Sequence, residues 1–259
     1  YWSLNMKYYK ALLKKGCFTR EYIEELTGGQ AAAGSIIFDY LRSGIIERVR
    51  RDLYVAVDLQ SGLPVVNRYV IGSNIIGNAY ITHHSALAYH GFHNQESYHV
   101  YVATDNHFVT FEFENIEYSH VKPKIAEGVL TENRVRVTDW ERTILDCLNE
   151  SDKSGGLEEL LHAIRLIPTL NESKLLRYLE LYDKKFLYQK AGFVLTYFKE
   201  DLNLSDYFFD TCKHKLSGSK RYFQKDIVAK VHYDADWGLY VPILDQILSQ
   251  GVGANAVEI

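Results

Sequence analysis

The sequence predicts an α+β chain, and three features of its patterning carry that expectation. Helical periodicity dominates the first part of the chain and nearly everything past Asp139, whereas alternating segments rich in β-branched residues cluster between about Ser97 and Thr138. Strands therefore precede the later helices instead of alternating with them, which excludes a doubly wound parallel sheet. The 259 residues exceed the needs of one small domain, so two are expected, 1–60 and 61–259.

The first helix is predicted from Met6 to Lys15, with Tyr8, Tyr9, Leu12 and Leu13 apolar and Gly16 as its stop. Thr19 supplies an N-terminal hydroxyl cap for a second, with Glu21 in the first turn and Gly28-Gly29 at the end. A third runs from about Gln30 to Arg42, with Ala33, Ile37, Tyr40 and Leu41 inward and Gly44 closing it. Two short strands then flank Arg50-Arg51-Asp52 between Ile45 and Val57. Helix, tight turn, helix and two-stranded ribbon make a winged helix-turn-helix.

Charge follows the same division. Nine Lys and Arg stand against seven Asp and Glu between Tyr1 and Asp58, an excess of two positive charges on a chain of net charge −4. Such a unit lays its third helix in the major groove while wing arginines reach phosphates or the minor groove. The expected DNA-binding residues are Gln30 and Ser35 for base edges and Arg42, Arg48, Arg50 and Arg51 for charge. Gly34 inside the third helix is expected to allow close packing on DNA or on the second helix. A net charge of −4 excludes a polybasic, tail-driven binder.

Several stretches resemble one family in its own order. Gly16-Cys17-Phe18-Thr19, Leu41-Arg42-Ser43-Gly44-Ile45-Ile46 and Arg48-Val49-Arg50-Arg51-Asp52-Leu53-Tyr54 resemble the N-terminal unit of AbiEi-like antitoxins and transcriptional regulators of type IV toxin–antitoxin systems. Tyr80 to Phe92, reading YITHHSALAYHGF, and Val137 to Asp146, reading VTDWERTILD, resemble segments of its C-terminal domain. Ser154 to Glu159 and Trp237 to Pro242 extend the likeness to residue 242, and Asp52 departs from the glycine usual at the wing turn. The resemblance implies a repressor that binds double-stranded promoter DNA of its own operon. It also implies an antitoxin, serving in abortive infection and phage defence, that counters a nucleotidyltransferase-type toxin with or without direct contact. A protein-interaction module, a solitary regulator without a toxin and a metal-dependent nuclease are the other readings the sequence admits.

The larger domain offers no convincing active site, so no enzyme activity, catalytic residue, metal or cofactor is expected. His83, His84, His90, His93, His99 and His107 fall within twenty-five residues but lack metal-ligand spacing. Asp105, Glu112, Glu114 and Lys122 follow the acid-acid-lysine order of a nuclease only loosely. Asp139 reads as a helix cap and Arg142 with Asp146 as an i,i+4 pair. Lys213, Lys215, Lys220, Arg221 and Lys225 form a second, auxiliary basic patch, while Tyr207, Phe208 and Phe209 beside it read as core. Three separated cysteines without a CxxC and no apolar run of membrane-spanning length point to a reduced, cytoplasmic protein with no membrane partner.

Overall fold

The computed structural model describes residues 6–216, 218–224 and 231–250. It is α+β throughout, and it opens with the winged helix-turn-helix. Helix α1 (Tyr9–Lys15) stops at Gly16, and the backbone then enters a short strand, β1 (Cys17–Thr19). Helix α2 (Arg20–Thr27) starts at Thr19, whose hydroxyl accepts from Tyr22 N at 3.4 Å, and ends at a left-handed Gly28. Helix α3 (Gln30–Arg42) is followed by β2 (Ile46–Arg50) and β3 (Leu53–Ala56), in a sheet of order β1-β3-β2. Asp52 takes φ 60°, the left-handed turn conformation that aspartate tolerates. Leu12, Phe18, Ile23, Ala33, Ile37 and Tyr40 close one core under the three helices.

Next comes α4 (Arg68–Ser73), capped by the Asn67 carboxamide, which accepts from Tyr69 N and Val70 N at 3.0 Å. A six-stranded sheet is built from β4 (Tyr80–Ile81), β5 (His99–Ala103), β6 (Phe111–Phe113), β7 (Ile116–Val121), β8 (Val129–Glu132) and β9 (Val135–Thr138). Its order is β6-β7-β5-β4-β9-β8, with β5 parallel to β7 and β4 parallel to β9. Gly72 lets α4 approach this sheet, since a methyl there would fall 2.7 Å from Ile81 Cδ1. The segment Tyr80 to Tyr89 divides into β4 and α5 (His83–Tyr89).

The remaining chain is mainly helical: α6 (Trp140–Asn149), α7 (Leu157–Leu166), α8 (Glu172–Tyr182), α9 (Lys185–Thr196) and α10 (Asp206–His214). A small sheet of β10 (Arg221–Tyr222), β12 (Leu239–Pro242) and β11 (Val231–Asp234), then α11 (Leu244–Gln250), complete it. Leu145, Leu161, Leu179, Val194, Phe208 and Trp237 belong to one continuous apolar core. Phe209 is buried with them, but Tyr207 is 67% exposed and lies outside the core the sequence assigned it to.

Two compact units emerge, and they do not meet at residue 60. The first runs through Ile81 and adds Tyr98–Lys122 and Thr131–Val137; the second holds Thr82–Ser97, Pro123–Leu130 and the chain from Thr138 onward. Strand pairing explains the difference, because β5 and β9 both hydrogen-bond to β4 at the end of the N-terminal segment. Composition follows chain order, whereas sheet pairing does not.

The second unit is organised around α6. Asp139 caps it by accepting from Arg142 N at 2.9 Å, and Arg142 Nε donates to Asp146 Oδ1 at 2.9 Å, as the spacing implies. Both are buried, so the pair is interior and not a surface ion pair. The Arg142 Nη1 also donates to the carbonyls of Ile125 at 3.1 Å and Glu127 at 2.7 Å. Asp146 accepts in addition from the hydroxyls of Thr82 and Tyr182. Burial, then the Asp146 charge, pushes the Tyr182 phenol far above its ordinary range, so it stays a donor.

Removing one partner of a buried ion pair leaves the other uncompensated, so Arg142→Met is expected to lose about 3–5 kcal/mol in urea denaturation. Glu150 gives a pH signature. Burial would raise its carboxyl, but hydrogen bonds from Lys153 and Lys124 outweigh burial and bring it down to about 2. Its contribution to stability is complete above about pH 4.5 and disappears as pH falls toward 2. Glu150→Gln is expected to flatten acid denaturation across that window, as read by circular dichroism.

Candidate nucleic-acid interface

The outward side of α3 carries Ala31, Ser35, Phe38 and Arg42, all exposed and spaced i, i+4, i+7 and i+11. Gln30 is exposed on the first turn of the same helix. Ser35 Oγ donates to Ala31 O at 3.3 Å, so its proton is used within the helix. Gly34 borders this stripe, and a Cβ there would meet nothing within 4 Å. Packing on α2 therefore does not require this glycine, contrary to one of the two roles the sequence allowed it.

Beside α3 lies a hollow of about 470 Å³ lined by Arg20, Arg42, Arg48, Phe38, Gly34 and Tyr54, with Ile37 and Leu41 as its floor. Arg48 is exposed, its guanidinium carbon 5.7 Å from the Tyr54 ring centroid. Arg42 has no ion-pair partner among the described residues. Arg20, which the sequence reading passed over, is held by Glu24 Oε1 at 2.8 Å. Phe38 was passed over too, although the i+3 and i+4 spacing from Ser35 and to Arg42 marks it as outward-facing.

The wing divides its arginines. Arg51 is almost fully exposed at the tip, within 3.5 Å of Asp52 Oδ2. Arg50 is half-buried in the first unit, its guanidinium carbon 5.7 Å from the Phe108 ring and 5.4 Å from the Phe111 ring. Its Nη1 is buried with no hydrogen-bond partner among the described residues. This corrects its expected place among freely extended wing cations, and the cause is a bulge. Arg48 pairs with Tyr54 and Arg50 with Leu53, so Val49 is the extra residue. Cross-strand partners share a face and consecutive residues do not, so the bulge sends Arg48 and Arg50 to opposite faces.

The auxiliary basic residues lie in the second unit. Lys213 Nζ sits 5.6 Å from the Trp237 ring, Lys220 Nζ 4.7 Å from Tyr233 and the Arg221 guanidinium 5.2 Å from Phe186. Lys215 is exposed at the end of α10, and Lys225 lies outside the described residues. Arg221 also borders a cleft of about 810 Å³ with Lys190, Phe186, Tyr222, Asn149 and Asp152. Lys190, hidden from sequence reasoning by its place in an amphipathic helix, is buried and donates to Leu148 O at 2.9 Å. Burial brings its amine down to about 8.

The histidines are dispersed among separate partners. His84 lies 3.3 Å from Glu159, His90 meets Thr138 O at 2.8 Å, and His99 lies 3.1 Å from Glu117. His83 is 3.9 Å from Glu150 and His93 is 3.9 Å from Glu96, while His107 packs against His120. Burial holds His83 below its ordinary range, favouring the neutral ring. Glu114 and Asn115, with φ 52° and 58°, turn the hairpin between β6 and β7, and Asp105, Glu112 and Lys122 are exposed. Among the described residues no three His, Cys, Asp or Glu side chains gather as metal ligands. No helix among them is long and apolar enough to cross a membrane.

Neither a family model nor a curated protein sequence matches the chain. The crystal structure of the Rv2827c protein from Mycobacterium tuberculosis is similar in fold, with a TM-score of 0.63 and 12% identity. The likeness covers 95% of this chain and 93% of that one, and at this identity it speaks to fold alone.

The two wing arginines are expected to differ in kind. Arg50→Ala removes two ring contacts and loses about 0.5–2 kcal/mol, whereas Arg51→Ala changes stability by less than about 0.5 kcal/mol in urea melts.

Proposed function

We propose that this chain is a DNA-binding transcriptional repressor that also serves as the antitoxin of a type IV toxin–antitoxin system, as its resemblance to the AbiEi-like family implies. The observation that carries the DNA half is the cluster of Arg42, Arg48 and Arg20 around the exposed face of α3, with Arg51 beyond them at the wing tip. Cations flanking an outward helix match the phosphates that flank a major groove, and they fix register on the duplex without reading sequence. Gln30 on the first turn supplies a carboxamide able to bond adenine in the groove. Arg50 is assigned to the fold and removed from the contact set.

The antitoxin half rests on the sequence resemblance. The segments that carry it, Tyr80 to Phe92 and Val137 to Asp146, include Thr82, Asp139, Arg142 and Asp146, which build the interior of the second unit. Their role in this reading is to hold that unit in shape, and no residue is given a catalytic role. The partner would be a nucleotidyltransferase-type toxin, and the setting is the cytoplasm.

The test is binding of the full chain to a duplex from upstream of its own operon, followed by fluorescence anisotropy across salt concentrations. Affinity is expected to fall linearly on a log–log plot, and Arg42→Ala and Arg48→Ala each to reduce the slope by about one while weakening every sequence alike. No binding to any duplex at low salt overturns the repressor reading. Co-expression with the adjacent toxin gene tests the other half, which falls if growth is not restored.

A further inference from the structure

We infer that α3 recognises thymine through its C5-methyl group, with Phe38 as the specificity-determining side chain. The inference rests on the duplex-DNA reading above and adds the base that is selected. Phe38 is 64% exposed on a helix whose opposite stripe, Ala33, Ile37 and Tyr40, is buried. A lone exposed apolar side chain is ordinary. The surroundings of this one are not, because Arg20, Arg42 and Arg48 line the same hollow and no carboxylate does. An apolar centre rimmed by guanidinium groups complements a polyanion that offers an apolar feature between its charged edges. A DNA major groove containing thymine is such a surface.

The polar inventory of the helix narrows the choice. Gln30 stands at its first turn and Arg42 at its last. Between them the exposed positions are Ala31, Ala32, Ser35 and Phe38, with Gly34 half-buried beside them, and the Ser35 hydroxyl proton is spent on Ala31 O. From Ala31 to Phe38 the helix rises about 10 Å, close to three base steps, with hardly a donor to offer. Guanine N7 and O6 and adenine N7 each call for a donor, which this stretch lacks, and the lone pairs of Ser35 Oγ are what remains to accept from adenine N6 or cytosine N4. Thymine alone adds a methyl group there, and phenyl and alanine side chains pack against it. Gly34 leaves bare backbone beside Phe38, so the groove can come close to the ring.

The test uses the full chain and a pool of duplexes with a randomised centre, from which bound sequences are recovered. Each thymine of the recovered duplex is then replaced singly by deoxyuridine, which removes only the methyl. One or two positions are expected at which that change weakens binding about fourfold, the effect of exposing one buried methyl. Phe38→Ala is expected to weaken the thymine duplex by a similar factor and to bind the thymine and deoxyuridine forms equally, with Phe38→Leu intermediate and Tm unchanged. Equal binding of both forms by the unaltered chain, or a recovered pool without sequence preference, overturns the inference. If Arg42→Ala still weakens binding in that case, the repressor reading stands alone. A chain that captures no duplex overturns both.

Discussion

A guanidinium deprived of water has to find partners for its charge and its protons, and Arg142 is the largest side chain fully buried among the described residues. Its solution sets the geometry of the second unit. One edge is taken by Asp146 on the next turn of its own helix, and Nη1 is taken by two backbone carbonyls, of Ile125 and Glu127. Asp146 then draws in Thr82 from the start of α5 and Tyr182 from the end of α8. Asp139, one turn earlier, receives Tyr178 Oη at 2.8 Å and Lys174 Nζ at 3.0 Å, while Glu141 accepts from Asn171 N at 2.7 Å. Three segments distant in sequence, at Thr82, at Ile125 to Glu127 and along Asn171 to Tyr182, are thereby fixed to one helix by directional bonds that an apolar core alone would not specify.

The first unit meets a different constraint, that of presenting cations without burying them. Its first three helices are closed by ordinary apolar packing, and its three-stranded sheet carries the wing. One surplus residue in β2 decides which arginine faces outward. Arg48 stays with Tyr54 beside α3, and Arg50 turns to the rings of Phe108 and Phe111, where the ion lies over aromatic faces in place of making an ion pair. The same charge two residues apart is thus exposed in one case and half-buried against aromatic rings in the other.

Much of this architecture was legible in the residues. Thr19, Asn67 and Asp139 cap helices as short polar side chains do, the bounds of α3 and α7 follow from their glycines and apolar periods, and Asp52 takes the left-handed turn. Other features were not. Strand β1 is three residues long and β10 two, too short for alternation to register. The bulge at Val49 changes pairing without changing composition, so Arg50 looked identical to Arg48 from the sequence. The pairing of β4 with β5 and also with β9, whose register joins Ile81 to Val102 and to Val137, links segments separated in sequence, and no local pattern reports such links. Within the interface, the outward place of Phe38 is readable from its helical spacing with Ser35 and Arg42, but an apolar residue among buried neighbours Ile37 and Tyr40 carries no charge signal to mark it.

Gly34 has a consequence for how such a protein diversifies. An alanine there would raise helix propensity by about 1 kcal/mol, and its methyl would meet nothing within 4 Å in its own fold. On the proposed DNA-binding reading, one codon change there would alter the groove-facing surface with no compensating repair in the core. Preference and foldedness are uncoupled at that site, which leaves a vacant letter in an otherwise committed alphabet.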